Sequence, residues 1–187
     1  MAADIPKLTR QFVRLHLANF AFYQVKLQAE HIMQSNFTVG DALLTPHMAG
    51  LVVTYAKNFT ESEGIGPLPE MFSDLPDGIM RHTHGILMRS RHTLYAHRDV
   101  RAAKGFVYDY NYSSEPYEVE ISFSKEKGLI CYPQIPELST EILPHVVSLC
   151  VFQSSRIFEE VEKLLPVLTN GKIYKEGVRY VIGKDFP

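Results

Sequence analysis

The segment from Met80 to Lys104 holds the side chains of this chain that are best suited to chemistry. It contains four of the eight histidines and six of the nineteen lysines and arginines, against a single acid, Asp99. Imidazole groups exchange protons near neutral pH, and guanidinium groups bind anionic oxygens with a fixed charge. The segment is therefore where we expect acid–base chemistry or the binding of an anion.

A helical projection separates the residues of this segment into faces. At about 100° per residue, one apolar stripe collects residues that should face the core. These are Ile79, Thr83, Ile86, Ser90, Leu94 and His97, with Leu87 just outside the stripe. His92 and Asp99 fall on the opposite side, and Arg91 and Arg98 share a flank. An ideal helix does not bring Arg91 beside His97, so their convergence requires a kink or a second subunit.

Metal-ligand spacing is absent from the chain. His82 and His84 are two residues apart and diverge on a helix, whereas a helical zinc site needs an i,i+4 pair. Cys131 and Cys150 are too few and too far apart for a disulfide framework and are expected to be buried apolar thiols. The sequence predicts no metal and no cofactor.

Composition indicates a folded protein without a membrane span. Apolar residues make up 45% and charged residues 21% of the 187 residues, which excludes intrinsic disorder. Apolar runs are far shorter than a membrane helix, and the N-terminus lacks signal-peptide features, so no membrane partner and a cytoplasmic location are expected. A net charge of −2 is not typical of a general nucleic-acid binder, although a local basic patch can act independently of the total charge.

The fold class predicted from hydrophobic periodicity is mainly α, with a bundle of four to five helices. We expect one domain over residues 1–187, and its parts follow one another along the chain. They are a helical part over 4–104, a small antiparallel β ribbon over 105–135, a long helix over 136–168 and a C-terminal hairpin over 172–183.

Two helices are predicted before the motif segment. The first covers residues 4–34, and the second covers 42–57 with Asp41 as its N-cap and Pro46 in its first turn.

A short helix over 68–74 is then expected before the motif helix, which starts at Asp74 or Asp77 and runs to about Ala103. Gly85 inside the motif helix favours a bend or a close helix contact there. In the long helix, Pro144 either kinks the first half or ends a separate first turn.

The motif segment resembles a known family. Arg91 to Asp99 reads RHTLYAHRD, which is similar to the R-x(4–6)-H signature of HEPN-domain proteins in the R-polar-x-x-x-A-H-x-D form of bacterial members. The upstream stretch VTYAKNFTESEG, residues 53–64, resembles the same group. The likeness covers roughly residues 43–99.

The resemblance implies a mostly helical domain that dimerises and brings two copies of the motif together in a cleft. Many such proteins are metal-independent endoribonucleases, and others bind RNA or nucleotides without cutting. Arg91 and His97 match the two ends of the motif, which implies that they are the catalytic pair.

The same resemblance implies binding roles for neighbouring residues. His92 stands where the family usually has Asn, Asp or His, and Asp99 matches the trailing acid of the bacterial form. Basic residues of the cleft, Arg98 and Arg101, would hold phosphate, and Tyr95 would stack on a base or simply pack.

Each of these residues also has a structural interpretation. A histidine on an apolar stripe is usually a hydrogen-bonded core residue, and basic residues along a helix are usually a solvated face. Three functions therefore stay open. The first is a homodimeric endoribonuclease of toxin or defence type, with an antitoxin-like partner protein. The second is a non-catalytic dimeric module in which the motif organises the interface. The third is a small-ligand or nucleotide pocket between helices.

Overall fold

The described part of the chain is mainly helical, as predicted. The structure is a computed structural model that describes residues 4–35, 37, 41–61, 65–92, 119–126, 128–133 and 138–169. The α-helices in these ranges are α1 (Ile5–Gln34), α2 (Leu44–Ala56), α3 (Gly78–Ser90) and α4 (Leu143–Leu168). Short 3-10 helices cover Lys57–Phe59, Glu70–Ser73 and Thr140–Ile142.

Helix α1 confirms the predicted helix over residues 4–34. Asp4 is its N-cap and accepts a hydrogen bond from the Lys7 amide at 3.2 Å, and Pro6 lies in the first turn, where its missing N–H costs little. The buried face repeats every three or four residues, as a core-facing helix requires. It consists of Leu15, Ala18, Ala21, Phe22, Val25, Ala29 and Ile32.

Helix α2 begins later than predicted, because Asp41 does not cap it directly. The Asp41 carboxylate accepts a hydrogen bond from the Leu43 amide at 2.8 Å, so Asp41 stabilises the turn that precedes the helix. Leu43 occupies the N-cap position without a side-chain hydrogen bond. Pro46 lies in the first turn of α2, as predicted.

Helix α3 starts at the second of the two predicted positions. Asp77 is its N-cap and accepts a hydrogen bond from the Met80 amide at 2.8 Å. After Ser90, Arg91 and His92 lie in a π-helical turn. The predicted continuation to Ala103 lies outside the described residues. Among the described residues, no atom lies within 4 Å of the position that a Cβ on Gly85 would take, so the predicted close contact is not found there.

Helix α4 begins at Leu143 and not at residue 136. A 3-10 turn capped by Ser139 comes first, and Pro144 then lies in the first turn of α4. Proline is tolerated there because the first amides of a helix have no intrahelical acceptor. Of the two predicted effects of Pro144, the separate first turn is the one observed.

The described part of the predicted ribbon contains two strands. Strand β1 (Val119–Ser124) pairs antiparallel with β2 (Gly128–Pro133), with Val119 opposite Pro133 and Ser124 opposite Gly128. The remaining predicted strand, near residues 106–112, and the hairpin over 172–183 lie outside the described residues.

The core lies where α1 packs against α4 and α2, and where α3 packs against α2 and α4. The largest fully buried side chains come from all four helices and the segment between α2 and α3. They include Leu15, Phe22, Met48, Tyr55, Phe72, Leu87 and Leu149. Within the described ranges, no helix combines the length and apolar character needed to cross a membrane.

Candidate functional site

Two of the predicted site residues lie within the described part of the chain. Arg91 follows the last residue of α3 and is half-buried, while His92 is exposed. Arg91 Nη1 lies 3.4 Å from His92 Nδ1, at the long end of hydrogen-bond distance. The other predicted residues, Tyr95, His97, Arg98, Asp99 and Arg101, lie outside the described residues.

The core-facing stripe of α3 is largely as the projection predicted. Thr83, Ile86 and Ser90 are buried, and so is Leu87. Ile79 is the exception, with 60% of its surface exposed. It lies in the first turn of α3, beside an open depression that His145 and Ser148 also line, so no described side chain covers it.

His84 makes the most informative polar contact in the described residues. The Tyr55 hydroxyl lies 2.8 Å from His84 Nδ1, and this hydrogen bond joins the end of α2 to the middle of α3. Tyr55 is fully buried, whereas His84 is half-buried. The Nδ1 edge of the imidazole is therefore held against a fully buried hydroxyl.

Aromatic rings fix the orientation of the His84 imidazole. The Phe59 ring packs edge-on against it at 4.7 Å between centroids, and the Tyr55 ring does so at 5.8 Å. Phe22 of α1 packs against both Phe59 and Tyr55. Packing against two rings, together with the hydrogen bond to Tyr55, restricts rotation of the imidazole.

Gln153 of α4 brings a second buried polar side chain into this part of the core. Its Nε2 donates to the Phe72 carbonyl oxygen at 2.7 Å, and its Oε1 is buried with no donor among the described residues. Because Phe72 O accepts only from an N–H, this bond fixes which amide atom is Oε1. Buried polar atoms without a partner are uncommon in folded proteins.

The position of Phe72 is itself fixed by Arg156. The guanidinium group donates to the carbonyl oxygens of Met71 and Asp74 and stacks over the Phe72 ring at 5.2 Å from its centroid. The segment that carries Phe72 O is thus held against α4, and Gln153 is positioned through it.

Burial keeps both members of the Tyr55–His84 pair uncharged at neutral pH. Desolvation raises the pKa of Tyr55 well above its usual value; the nearby Cys150 thiol acts in the same direction, and the hydrogen-bonding amide of Gln153 acts against it. Desolvation also lowers the pKa of His84. The phenol therefore keeps its proton, and the imidazole stays neutral and able to accept one. We refer to Tyr55, His84 and Gln153 as the His84 cluster.

Arg91 lies on the same line of α3 as His84. Seven residues of α-helix turn through about 700°, so the two side chains leave the helix within about 20° of each other, about 10.5 Å apart along the axis. The guanidinium of Arg91 itself contacts His92, with 3.4 Å between Nη1 and Nδ1.

A separate apolar surface lies on α1 and α4. Six large apolar side chains on α1 are 43 to 59% exposed, and all of them except Met33 form an outer stripe, about 170° from the buried face of the same helix. The outer stripe consists of Val13, Leu17, Phe20, Tyr23 and Leu27. Phe20 and Tyr23 border an open groove of about 610 Å³ between the helices, with Val151 and Phe158 on its α4 side. We call this depression the α1/α4 groove.

Sequence reasoning missed the role of His84. Tyr55 packs in the core, and its hydroxyl also forms a hydrogen bond with the imidazole of His84. The i,i+7 spacing of His84 and Arg91 is readable from the sequence and places both on one helical line. The contact between His84 and Tyr55 cannot be read from the sequence, since the two residues are 29 positions apart and lie on different helices.

Metal binding has no support among the described residues, in which no group of three metal-ligating side chains was found. No family model, no curated protein and no solved structure matches the chain.

Proposed function

We propose that this chain is a HEPN-like protein that acts on RNA as a homodimer and cuts it without a metal ion, in the manner of a toxin- or defence-type endoribonuclease. The proposal includes a cytoplasmic location and control by an antitoxin-like partner protein. It rests on the RHTLYAHRD motif, residues 91–99, together with the position of its first residue.

The observation that carries the proposal is the setting of Arg91. This half-buried cation follows Ser90, the last residue of α3, and its one hydrogen bond in the described part of the chain goes to His92. The π-helical turn at Arg91 supports a functional role, because such turns are frequent at functional sites.

The chemistry needs two kinds of group. A base must remove the 2′-hydroxyl proton so that the 2′ oxygen can attack the adjacent phosphorus, and a cation must stabilise the charge on the phosphorane. Arg91 supplies the cation as a planar fork for the phosphate oxygens. His97 supplies the base or the acid, and two subunits would supply two such histidines.

The test is cleavage of structured and single-stranded RNA in the presence of EDTA. We expect cutting by the wild type and a loss of about 100-fold or more in Arg91→Ala and His97→Ala. Arg91→Lys keeps the positive charge but not the planar fork of donors. Its cleavage rate should lie between those of the wild type and Arg91→Ala. Intact RNA with the wild type would refute the ribonuclease function.

Matched controls come from exposed residues of the same types. Arg10 on α1 and His145 on α4 are both exposed. Arg10→Ala and His145→Ala should cut RNA at the wild-type rate. A rate loss in these controls equal to that of the motif variants would show that the losses are not specific to the motif.

A second candidate function is a non-catalytic dimeric module, and the outer stripe of α1 favours it. Helices that are apolar on two opposite faces are usually covered on both, and contiguous exposed apolar patches are typical of interaction surfaces. The stripe spacing also suits packing against another helix, and a second copy of α1 would offer the same stripe.

RNA cleavage separates the two candidates, since both are dimers, and sedimentation velocity locates the dimer interface. For the dimeric module, Phe20→Glu should dissociate the dimer, and RNA should remain uncut by every variant. If the motif itself organises the interface, His97→Ala will change the oligomeric state or the melting temperature instead. A wild type that is monomeric at all concentrations rules out the module in both forms.

A further inference from the structure

The outer stripe of α1 is symmetric about Phe20. Leu17 and Tyr23 lie three residues from Phe20 on either side, and Val13 and Leu27 lie seven residues away. These spacings are steps of about 4.5 Å and about 10.5 Å along the helix axis in both directions. Reversing the helix about Phe20 therefore places an apolar side chain at every level where one stood before.

Bands without formal charge surround the stripe and the α1/α4 groove. Residues 15–25 of α1 and 143–155 of α4 contain no lysine, arginine, aspartate or glutamate, in a chain of which 21% is charged. Phe20 and Tyr23 in the first band, and Phe158 just after the second, are 54 to 59% exposed. Depletion of charge together with exposed aromatic residues is typical of the core of a protein–protein interface.

We infer that a second copy of this chain covers the stripe, with the two α1 helices packed antiparallel and both Phe20 side chains at a two-fold axis. This inference rests on the homodimer of the proposed function and specifies the surface that forms it. In such a pair, Val13 lies at the height of the partner's Leu27 along the helix axis, and Leu17 lies at the height of the partner's Tyr23. A two-fold pair brings the same surface of each copy together, and a stripe that is unchanged on reversal meets that requirement.

Charges beside the stripe favour the antiparallel pair over a parallel one. Arg10 is exposed, and in a parallel pair it would lie at the height of the partner's Arg10, where like charges repel. In the antiparallel pair it lies at the height of the partner's Glu30. Arg14 and Lys26 also share a height, but each is engaged within its own chain: Arg14 donates to the Ile65 carbonyl oxygen at 2.8 Å, and Lys26 Nζ lies 2.8 Å from a Glu30 carboxylate oxygen.

The area of this face suits a stable dimer. Seven large apolar side chains on it are 43 to 59% exposed, namely the five residues of the outer stripe with Val151 and Phe158 of α4. At about half of the roughly 150–250 Å² of a large side chain, they bring on the order of 700 Å² per chain to the interface. Stable interfaces bury about 800 Å² per partner, so the face is of the size that a dimer needs.

Disulfide trapping of the full chain tests the surface. Two cysteines at a two-fold axis lie within reach of each other, so most of the Phe20→Cys chain should link to a second copy under a mild oxidant. Met33→Cys is the matched control, because Met33 is 43% exposed on the same helix but lies off the stripe, and it should stay unlinked on a non-reducing gel. The wild type under the same oxidant controls for Cys131 and Cys150.

A second pair of substitutions tests the direction of packing and leaves the Phe20 ring in place, since loss of the ring can itself weaken the dimer. Val13→Cys and Leu27→Cys chains should link to each other when they are co-expressed, and neither should link when it is expressed alone. The opposite pattern, in which each variant links only to itself, indicates a parallel pair and overturns the inference.

Sedimentation velocity of the wild type separates failure of this interface from failure of the homodimer. A dimeric wild type in which neither Phe20→Cys nor the co-expressed pair links overturns the interface and leaves the homodimer to another surface. The same result is expected if another segment of this chain covers the stripe. A monomeric wild type refutes the homodimer and this interface together, whereas uncut RNA refutes the ribonuclease function alone.

Discussion

The His84 cluster and the α1/α4 groove are both partly open, but their side chains are held in different ways. In the cluster, hydrogen bonds hold the Tyr55 hydroxyl, His84 Nδ1 and Gln153 Nε2, and the Phe59 ring packs against the imidazole. In the groove, large apolar side chains such as Phe20 and Phe158 face solvent, and the hydroxyl of Ser155, which also lines it, bonds within its own helix. The first arrangement suits chemistry, which needs positioned donors and acceptors, and the second suits the burial of area against another surface.

The two regions meet at Cys150. Its thiol lines the inner side of the groove and lies near enough to Tyr55 to raise the pKa of the phenol. A change on either side of this residue therefore tests whether the two regions are independent.

Replacing Tyr55 should separate packing from hydrogen bonding in the cluster. Tyr55→Ala removes a fully buried ring and should lower the free energy of unfolding by about 3–5 kcal/mol. Tyr55→Phe keeps the ring and should cost about 1 kcal/mol, the usual value of one hydrogen bond. Urea unfolding followed by circular dichroism gives both values. Equal losses in the two variants would mean that the hydroxyl, and not the ring, carries the contribution.

Cys150 should resist alkylation although it borders the groove. Burial raises the pKa of its thiol to about 12, so only a trace of reactive thiolate exists at pH 8. We expect iodoacetamide to modify Cys150 at least about a thousandfold more slowly in the native protein than in urea. Mass spectrometry of the peptide that contains Cys150 measures this rate separately from that of Cys131. Fast alkylation of Cys150 in the native protein would show that solvent reaches the thiol through the groove, as far as its contact with Tyr55.

Lowering the pH should reduce the contribution of the His84 cluster to the free energy of unfolding, but not that of the α1/α4 groove. Burial lowers the pKa of His84 in the folded chain, so the unfolded chain binds the proton more tightly. The contribution of His84 to the free energy of unfolding is complete above about pH 6.5. It falls as the pH drops below the pKa of the histidine in the unfolded chain, and it levels off below the lowered pKa in the folded chain.

Comparing the wild type with His84→Gln isolates this effect from other titrating groups. Urea unfolding between pH 7.5 and pH 5 should give a steeper loss of stability in the wild type than in the variant. A control variant with Phe20→Ser should follow the wild-type pH dependence. The same slope in wild type and His84→Gln would contradict the lowered pKa.

Phe20→Ser should have the smallest effect on the monomer. The side chain is 59% exposed, so its loss should change the free energy of unfolding by no more than about 0.5 kcal/mol at high dilution. A larger loss that appears only at high protein concentration would show that the groove is covered by a second chain. Unfolding curves at two concentrations distinguish these results.

The sequence predicted much of the helical framework because local signals govern it. The long periodic pattern of α1, the Asp77 cap of α3 and the buried positions Thr83, Ile86 and Ser90 all follow from spacing and capping rules. The errors at the starts of α2 and α4 arose where a turn or a 3-10 segment precedes the helix, which periodicity does not reveal.

The candidate site was only partly predictable. The motif drew attention to Arg91, which lies in the helical turn after Ser90, and the predicted continuation of that helix to Ala103 lies outside the described residues. The functional partner suggested by the resemblance, His97, lies outside the described residues and stays a prediction. His84 was set aside because its neighbour in sequence, His82, diverges from it, although a residue on another helix is its actual partner.

Composition and periodicity by themselves determined that this chain forms mainly helices and which face of α3 enters the core. They did so because helix formation and burial depend on residues three or four positions apart. Tertiary structure alone decided that Tyr55, His84 and Gln153 meet, since their hydrogen-bonding groups come from three helices brought together only by packing of the core. These contacts leave the half-buried imidazole of His84 neutral and held in one orientation, seven residues before Arg91.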